Sequence, residues 1–203
     1  MAFYDEKELQ GLGFAEIGKG VKLSRKTSIY NAAKISIGDY SRIDDFCVLS
    51  AGTGGIRIGR NVHIAVFCGL IGKELIEMDD FSCISSRVMV YSSNDDYSGN
   101  ALTNPTVPSQ FTNVRHAPVY IGKHALVGSG SIILPGITLQ EGVAVGALSL
   151  VTRDCDRFSL YAGIPAKRLK PRSEKLLEAE QCFLEWSVAN DDPHPLHQHR
   201  QLP

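Results

Sequence analysis

The sequence predicts an all-β chain wound as a parallel β-helix. Three observations carry that expectation. An aliphatic residue returns every six positions, a glycine often follows it, and a small or medium residue tends to stand four positions after it. The first run is Ile17-Gly18, Leu23 and Ile29, and the next is Ile37-Gly38, Ile43 and Leu49. Ile58-Gly59, Ile64 and Leu70 follow, then Met78, Ile84 and Val90. After a gap the series continues unbroken through Ile121-Gly122, Val127-Gly128, Ile133, Leu139, Val145-Gly146 and Val151. Ala125, Ser131, Ile137, Val143 and Ser149 occupy the fourth position after these.

An α-helix turns every 3.6 residues, so an apolar stripe of period six would wander around it. A short strand and a turn accommodate six. Three such sides make a triangular coil of about 18 residues, and coils stack as parallel strands about 4.8 Å apart. The aliphatic side chains then form an inward column. The glycine after each is expected to serve the corner, where φ can be positive. The intervals Ile17 to Ile37 and Ile37 to Ile58 exceed one coil by two or three residues, which turn bulges would hold. An antiparallel sandwich would instead need period-two alternation and variable strand lengths.

The repeat divides the chain into three regions: an N-terminal helical cap over residues 1–16, the β-helix over 17–170, and a helix and tail over 171–203. Asp5 and Glu8 have capping-box spacing, so a short helix over residues 5–12 is expected to end at Gly11 or Gly13 and cover the first coil's open edge. Residues 173–189 predict an amphipathic helix, capped by Ser173, with Leu176, Ala179, Phe183 and Trp186 on one face for packing. The tail over residues 191–203 carries three histidines and is expected to lack structure. Residues 92–118 are polar, proline-rich and set between clean repeats. A long loop inside a compact array is usually functional.

Composition narrows the function classes. The formal net charge is -1, which argues against a broad polyanion-binding surface and hence against nucleic acid as a partner. The sequence has no apolar run long enough to span a membrane, and the acidic N-terminus lacks a signal peptide's layout. The five cysteines include no CxxC pair and read as reduced, mostly packed thiols of a cytoplasmic protein, with no metal site.

The repeats, the stretch from Ile121 to Lys170, and the segment Gly163-Ile164-Pro165-Ala166-Lys167 resemble the hexapeptide-repeat acyltransferases. That segment is similar to the family's GNPA[KR] ending. The resemblance implies a left-handed coil, a homotrimer, acetyl-CoA as acyl donor and an active-site loop at 92–118. Carried over by position, it implies backbone contacts to the pantetheine arm at Ser129 and Ala147. Thr152-Arg153 matches the family's T[KR] pair near the nucleotide phosphates, and Lys167 and Arg168 would also meet phosphate. Leu126 stands where many relatives have Trp, so a stacking contact to the arm would be missing.

Many relatives that acetylate hydroxyls carry a histidine after a strand like Val88–Tyr91. Here that stretch is Ser92-Ser93-Asn94-Asp95-Asp96. A hydroxyl needs a base to attack a thioester, whereas a partly neutral amine needs far less help. An amine acceptor is therefore expected, with Asn94 and Asp95 as catalytic candidates and Asp44, Asp45, Ser85 and Asp96 as acceptor contacts. His63 is the alternative base, expected two coils below Asn94. The spacing of His116 and His124 does not match the ligands of carbonic anhydrase-like β-helices.

The leading expectation is an acetyl-CoA-dependent N-acetyltransferase acting on a nucleotide-linked amino sugar, such as a dTDP-4-amino-4,6-dideoxyhexose. Its setting would be surface polysaccharide synthesis, such as O-antigen. The alternative is a sugar O-acetyltransferase with His63 as base. A non-catalytic trimeric scaffold would call for flat threonine ladders, which the sequence lacks. The sugar, ring position and acyl group stay open at this level.

Overall fold

The structure is a computed structural model that describes residues 2–189. The expectation for the tail over 191–203 lies outside the described residues. Among those described, short strands of two to six residues stack, nearly all parallel, into three faces holding six, eight and six strands. The eight-stranded second face includes the antiparallel closing strand Ala166–Pro171.

The period-six aliphatic residues form the core. On the second face Leu23, Ile43, Ile64, Ile84, Val127 and Val145 stand in register, each about one coil above the last. All six are buried. Each such burial removes an aliphatic side chain from water, worth about 1.5–3 kcal/mol. The fourth-position residues Ala125, Ser131, Ile137, Val143 and Ser149 are buried too, because the corner folds them inward.

The structure corrects the reason for the glycines. Gly18, Gly38, Gly59, Gly122, Gly128 and Gly146 are absent from the positive-φ positions. Close approach between coils requires them. A Cβ on Gly38 would lie 2.6 Å from the carbonyl carbon of Gly59, and one on Gly128 would lie 2.5 Å from the Ala147 nitrogen. The left-handed conformation falls three residues after the aliphatic position, at Tyr40, Asn61, Phe81 and His124 on the first corner and at Phe46, Phe67 and Arg87 on the second.

The third corner absorbs the extra residues. It holds a 3-10 turn at Ala32–Lys34, the Gly52–Gly55 turn and the long loop. At the loop's foot, Ser93–Asn94 pairs antiparallel with Arg115–His116.

Both ends of the coil are closed. Helix α1 (Glu6–Gly11) has the expected Asp5–Glu8 capping box, and Leu9 joins the core. Phe3 bridges Ser24, covering the first coil's free edge. At the other end Ser159–Gly163 extends the second face and folds back into Ala166–Pro171. The described residues from Ser173 to Ala189 fall in a unit separate from the coil. Its helix, α2, runs Leu176–Ala189 and so begins three residues after Ser173, whose Oγ accepts from the Lys175 N–H at 3.3 Å.

Candidate active site

The loop's foot builds one cluster on the third corner. Ser93 Oγ accepts the Lys73 N–H at 2.9 Å and shares a hydrogen bond with His116 Nδ1 at 2.8 Å. The pairing Asn94↔Arg115 sets both residues beside the coil. A cleft of about 300 Å³ opens there, lined by Asn94, Arg115, the turn from Leu134 to Ile137, and Thr152, Arg153 and Asp154. Gly136 turns the backbone there at a φ of 83° and lies beside Arg115, whose Nη2 would be in ordinary contact with a Cβ at that position, at 3.7 Å. Asp154 is engaged by the Thr138 N–H at 2.7 Å. The two guanidinium groups, the Thr152 hydroxyl and the Asn94 amide make a cleft suited to a phosphate or another anion.

The loop's acidic residues divide in role. Asp95 is exposed just past the foot. Asp96 accepts from both the N–H and the hydroxyl of Ser98, and these bonds hold its carboxyl below the usual range.

A second cluster occupies the second face and second corner. The outward row runs Arg42, His63, Cys83, Leu126 and Ala144. His63 thus lies one coil below the strand that leads to Asn94, not two. Asp44, 5% exposed, receives Arg42 Nε at 2.7 Å and stands 2.9 Å from His63 Nε2. His63 Nδ1 faces the Cys83 thiol at 3.8 Å, and burial pushes that thiol's pKa up. Asp45 is held below its usual range by the Ser24 hydroxyl and paired with Lys26 at 3.3 Å. Ser85 follows the inward Ile84 at the same corner. Higher up, Ser129 and Ala147 occupy adjacent coils, joined through the Leu148 N–H to the Ser129 carbonyl at 2.8 Å. Lys167 and Arg168 lie on the closing strand, where Arg168 Nε donates to Ser159 Oγ at 3.0 Å.

The sequence candidates therefore fall on two corners of one protomer. Asn94, Asp95, Asp96, Thr152 and Arg153 lie at the third. Asp44, Asp45, Ser85, Ser129 and Ala147 lie at the second, with His63 beside them. The third face separates the corners, and its outward row is Val48, Gly69, Met89, Ile132 and Leu150. Sequence reasoning missed Arg115 and the Ser93–His116 pair. The signal was the antiparallel return of the loop, which its irregular interior hides.

This architecture and its polar clefts define a β-helical transferase class. The sequence pattern described as the hexapeptide repeat of succinyl-transferase matches residues 118–153. The dTDP-4-amino-4,6-dideoxy-D-glucose acyltransferase of Escherichia coli is 52% identical over 183 residues, covering 90% of this chain and 95% of that protein. AntD, an N-acyltransferase from Bacillus cereus solved with dTDP and 3-hydroxybutyryl-CoA, shares 47% identity at a TM-score of 0.88. That match covers 92% of this chain and 98% of AntD. A variant of AntD in complex with dTDP-4-amino-4,6-dideoxyglucose and coenzyme A is 46% identical, also at a TM-score of 0.88, over 91% of this chain and 98% of that one. The chain belongs to the hexapeptide-repeat acyltransferases, with their left-handed parallel β-helix. It is an acyltransferase of the sugar-modifying branch.

Proposed function

We propose that this enzyme transfers an acyl group from acyl-CoA, with acetyl-CoA as the first donor to try, to the amino group of dTDP-4-amino-4,6-dideoxy-D-glucose. The observation that carries the reading is 52% identity across 90% of the chain to an acyltransferase named for that sugar nucleotide. The neutral amine attacks the thioester carbonyl, the C–S bond breaks, and the coenzyme thiolate leaves. The amine's proton passes to a nearby acceptor, for which Asp95 and Asp96 are the loop carboxylates, with Asn94 positioning the amine and Ser85 holding the sugar. Orientation supplies much of the rate, and a coil N–H would donate to the developing oxyanion. Thr152 and Arg153, joined by Arg115, fit the donor's phosphates in the 300 Å³ cleft. Ser129 and Ala147 offer backbone to its pantetheine arm.

The active species is a homotrimer. Two features support this reading: the apolar outward row Val48, Met89, Ile132 and Leu150, and the split of site residues between the corners flanking it. Three such faces around an axis would bring the second corner of one subunit to the third corner of the next. The reaction is assigned to the cytoplasm, on a precursor of surface polysaccharide such as O-antigen. No helix among the described residues is long and apolar enough to cross a membrane.

Incubation with the amino sugar nucleotide and acetyl-CoA, followed by free-thiol release and product mass, tests the reading. Acylation of the amine is expected. Acylation of the matching 4-hydroxyl nucleotide, with the amine inert, would overturn it in favour of O-transfer with His63 as base.

A further inference from the structure

Carboxylate, imidazole and thiol line up on the second face, and direct attack by an amine leaves the thiol without a role. Asp44 Oδ2 stands 2.9 Å from His63 Nε2, and His63 Nδ1 faces Cys83 Sγ at 3.8 Å. Asp44 is buried, and Arg42 Nε holds its other oxygen at 2.7 Å, so the carboxylate is fixed. In neutral His63, Nε2 donates to Asp44 and Nδ1 is left to accept the thiol proton. Coil register makes this line, since His63 and Cys83 are partners on adjacent strands.

The thiol also stands beside the donor's path. Cys83 and Ser85 flank the inward Ile84, so both side chains project outward. Successive coils carry Ala65, Ser85, Gly128 and Gly146 at one corner position, through the N–H bonds of Ala65, Ser85 and Gly128 to the next coil. Ala147, Ser129 and Ser86 follow them in the same order. An arm that runs past Ala147 and then Ser129 therefore points at the coil that carries Cys83. Small residues leave the surface open there. Cys83 is half-buried, whereas Cys47, Cys68 and Cys155 are buried and Cys182 lies on α2.

We infer that Cys83 is an internal acyl acceptor: without an amino sugar it takes the acyl group from acyl-CoA, and water then removes it. The enzyme is thus also a slow acyl-CoA hydrolase. The inference rests on the donor path proposed above. In the first half, His63 Nδ1 takes the Cys83 proton as Sγ attacks the thioester carbonyl carbon. The coenzyme's C–S bond breaks, and its thiolate recovers that proton from Nδ1. One thioester replaces another, so no further reactant is needed. In the second half, Nδ1 takes a proton from water, whose oxygen attacks the Cys83 thioester. The acid leaves, and Sγ takes the proton back. Asp44 stabilises the imidazolium formed in each half. Burial pushes the Cys83 pKa up, so the side chain rests as the thiol and loses its proton only as the new bond forms. That makes the step slow beside attack by a neutral amine.

The test incubates the full chain with acetyl-CoA alone and follows peptide mass and free-thiol release, with exposed Cys182 as the internal reference. One acetyl group on Cys83, removed by neutral hydroxylamine, and steady release of CoA are expected. Cys83→Ala should abolish both, while transfer to the amino sugar persists. Cys83→Ser, nearly the same in volume, repeats that comparison if the alanine variant folds poorly. His63→Gln should slow acetylation of Cys83 about 10²-fold or more. A wild-type chain that acylates the amino sugar but leaves Cys83 bare overturns the inference. So does acetylation of Cys83 at the wild-type rate in His63→Gln, which would make it a spontaneous reaction of an open thiol. A wild-type chain that acetylates Cys83 yet leaves the amino sugar untouched refutes the acceptor proposed above and upholds the thiol's role.

Discussion

Asp44 Oδ2 stands 2.9 Å from His63 Nε2, while Arg42 Nε holds the other oxygen of the same carboxylate at 2.7 Å. An ionised carboxylate accepts only, so Nε2 donates to Asp44 and Nδ1 is the second ring nitrogen, pointing the other way. That nitrogen faces Cys83. Both ring nitrogens thus have partners within the protomer, an arrangement that orients the ring. If the acceptor is an amine, His63→Ala should lower kcat about tenfold or less. A hydroxyl acceptor using His63 as base would lose about 10²–10⁴-fold and the acid limb of the pH–rate profile. Steady-state kinetics from pH 5 to 9 separate the two.

Arg153 and Arg115 line one cleft from different segments, the last full coil and the loop's return strand. If they hold the donor's phosphates, either change to alanine should raise KM for acyl-CoA about tenfold with kcat little changed. Lys167→Ala should act in the same direction. Dephospho-CoA donors check the assignment: with them, the variant that contacts the 3′-phosphate should lose its defect relative to wild type.

Gly38 lies under the next coil with no room for a side chain, since a Cβ would be 2.6–2.8 Å from backbone atoms of Gly59 and Arg60. Backbone yields less readily than a flexible side chain. Gly38→Ala should therefore cost about 1–3 kcal/mol, like other overpacked cores. Gly13→Ala meets no atom within 4 Å and carries only the strain of its positive φ, so it should cost less. Chemical denaturation of both variants measures the difference.

The buried thiols should be slow to alkylate. Burial pushes Cys155 up to about 12, and the bond to Cys68 together with burial raises Cys47. The thiolate is the nucleophile, so at pH 8 almost none of the Cys155 side chain is reactive. Cys182 is exposed. Iodoacetamide labelling of the folded protein at pH 8, read by peptide mass, should mark Cys182 first and leave Cys47 and Cys155 unmodified until denaturant is added.

Much of the fold was legible in the chain. Inward and outward positions follow from period six, because strand, corner and αL turn are each set by neighbours within one hexapeptide. Ile121, Val127, Ile133, Leu139 and Val145 are all buried. The Asp5–Glu8 cap was legible for the same reason, being local to four residues. The role of Gly38 was misread because its neighbour, Gly59, belongs to another coil. The start of α2 moved from Ser173 to Leu176 because a capping side chain marks a turn without fixing where helical hydrogen bonds begin.

By itself the sequence determined the solenoid, its core column, the place of its long loop and the acyltransferase resemblance. The tertiary structure alone decided which outward residues meet. Asp44 with His63 and Phe46 with Phe67 are neighbours only because coils stack, and Asn94 with Arg115 only because the long loop returns antiparallel to its own start. The step between register partners does vary from coil to coil, 20 residues from Leu23 to Ile43 and 21 from Ile43 to Ile64, because each coil takes its extra residues at the third corner. Periodicity specifies which way a side chain points. Contact between coils depends on the summed length of every corner between them, and the bulges and the loop change that length from coil to coil.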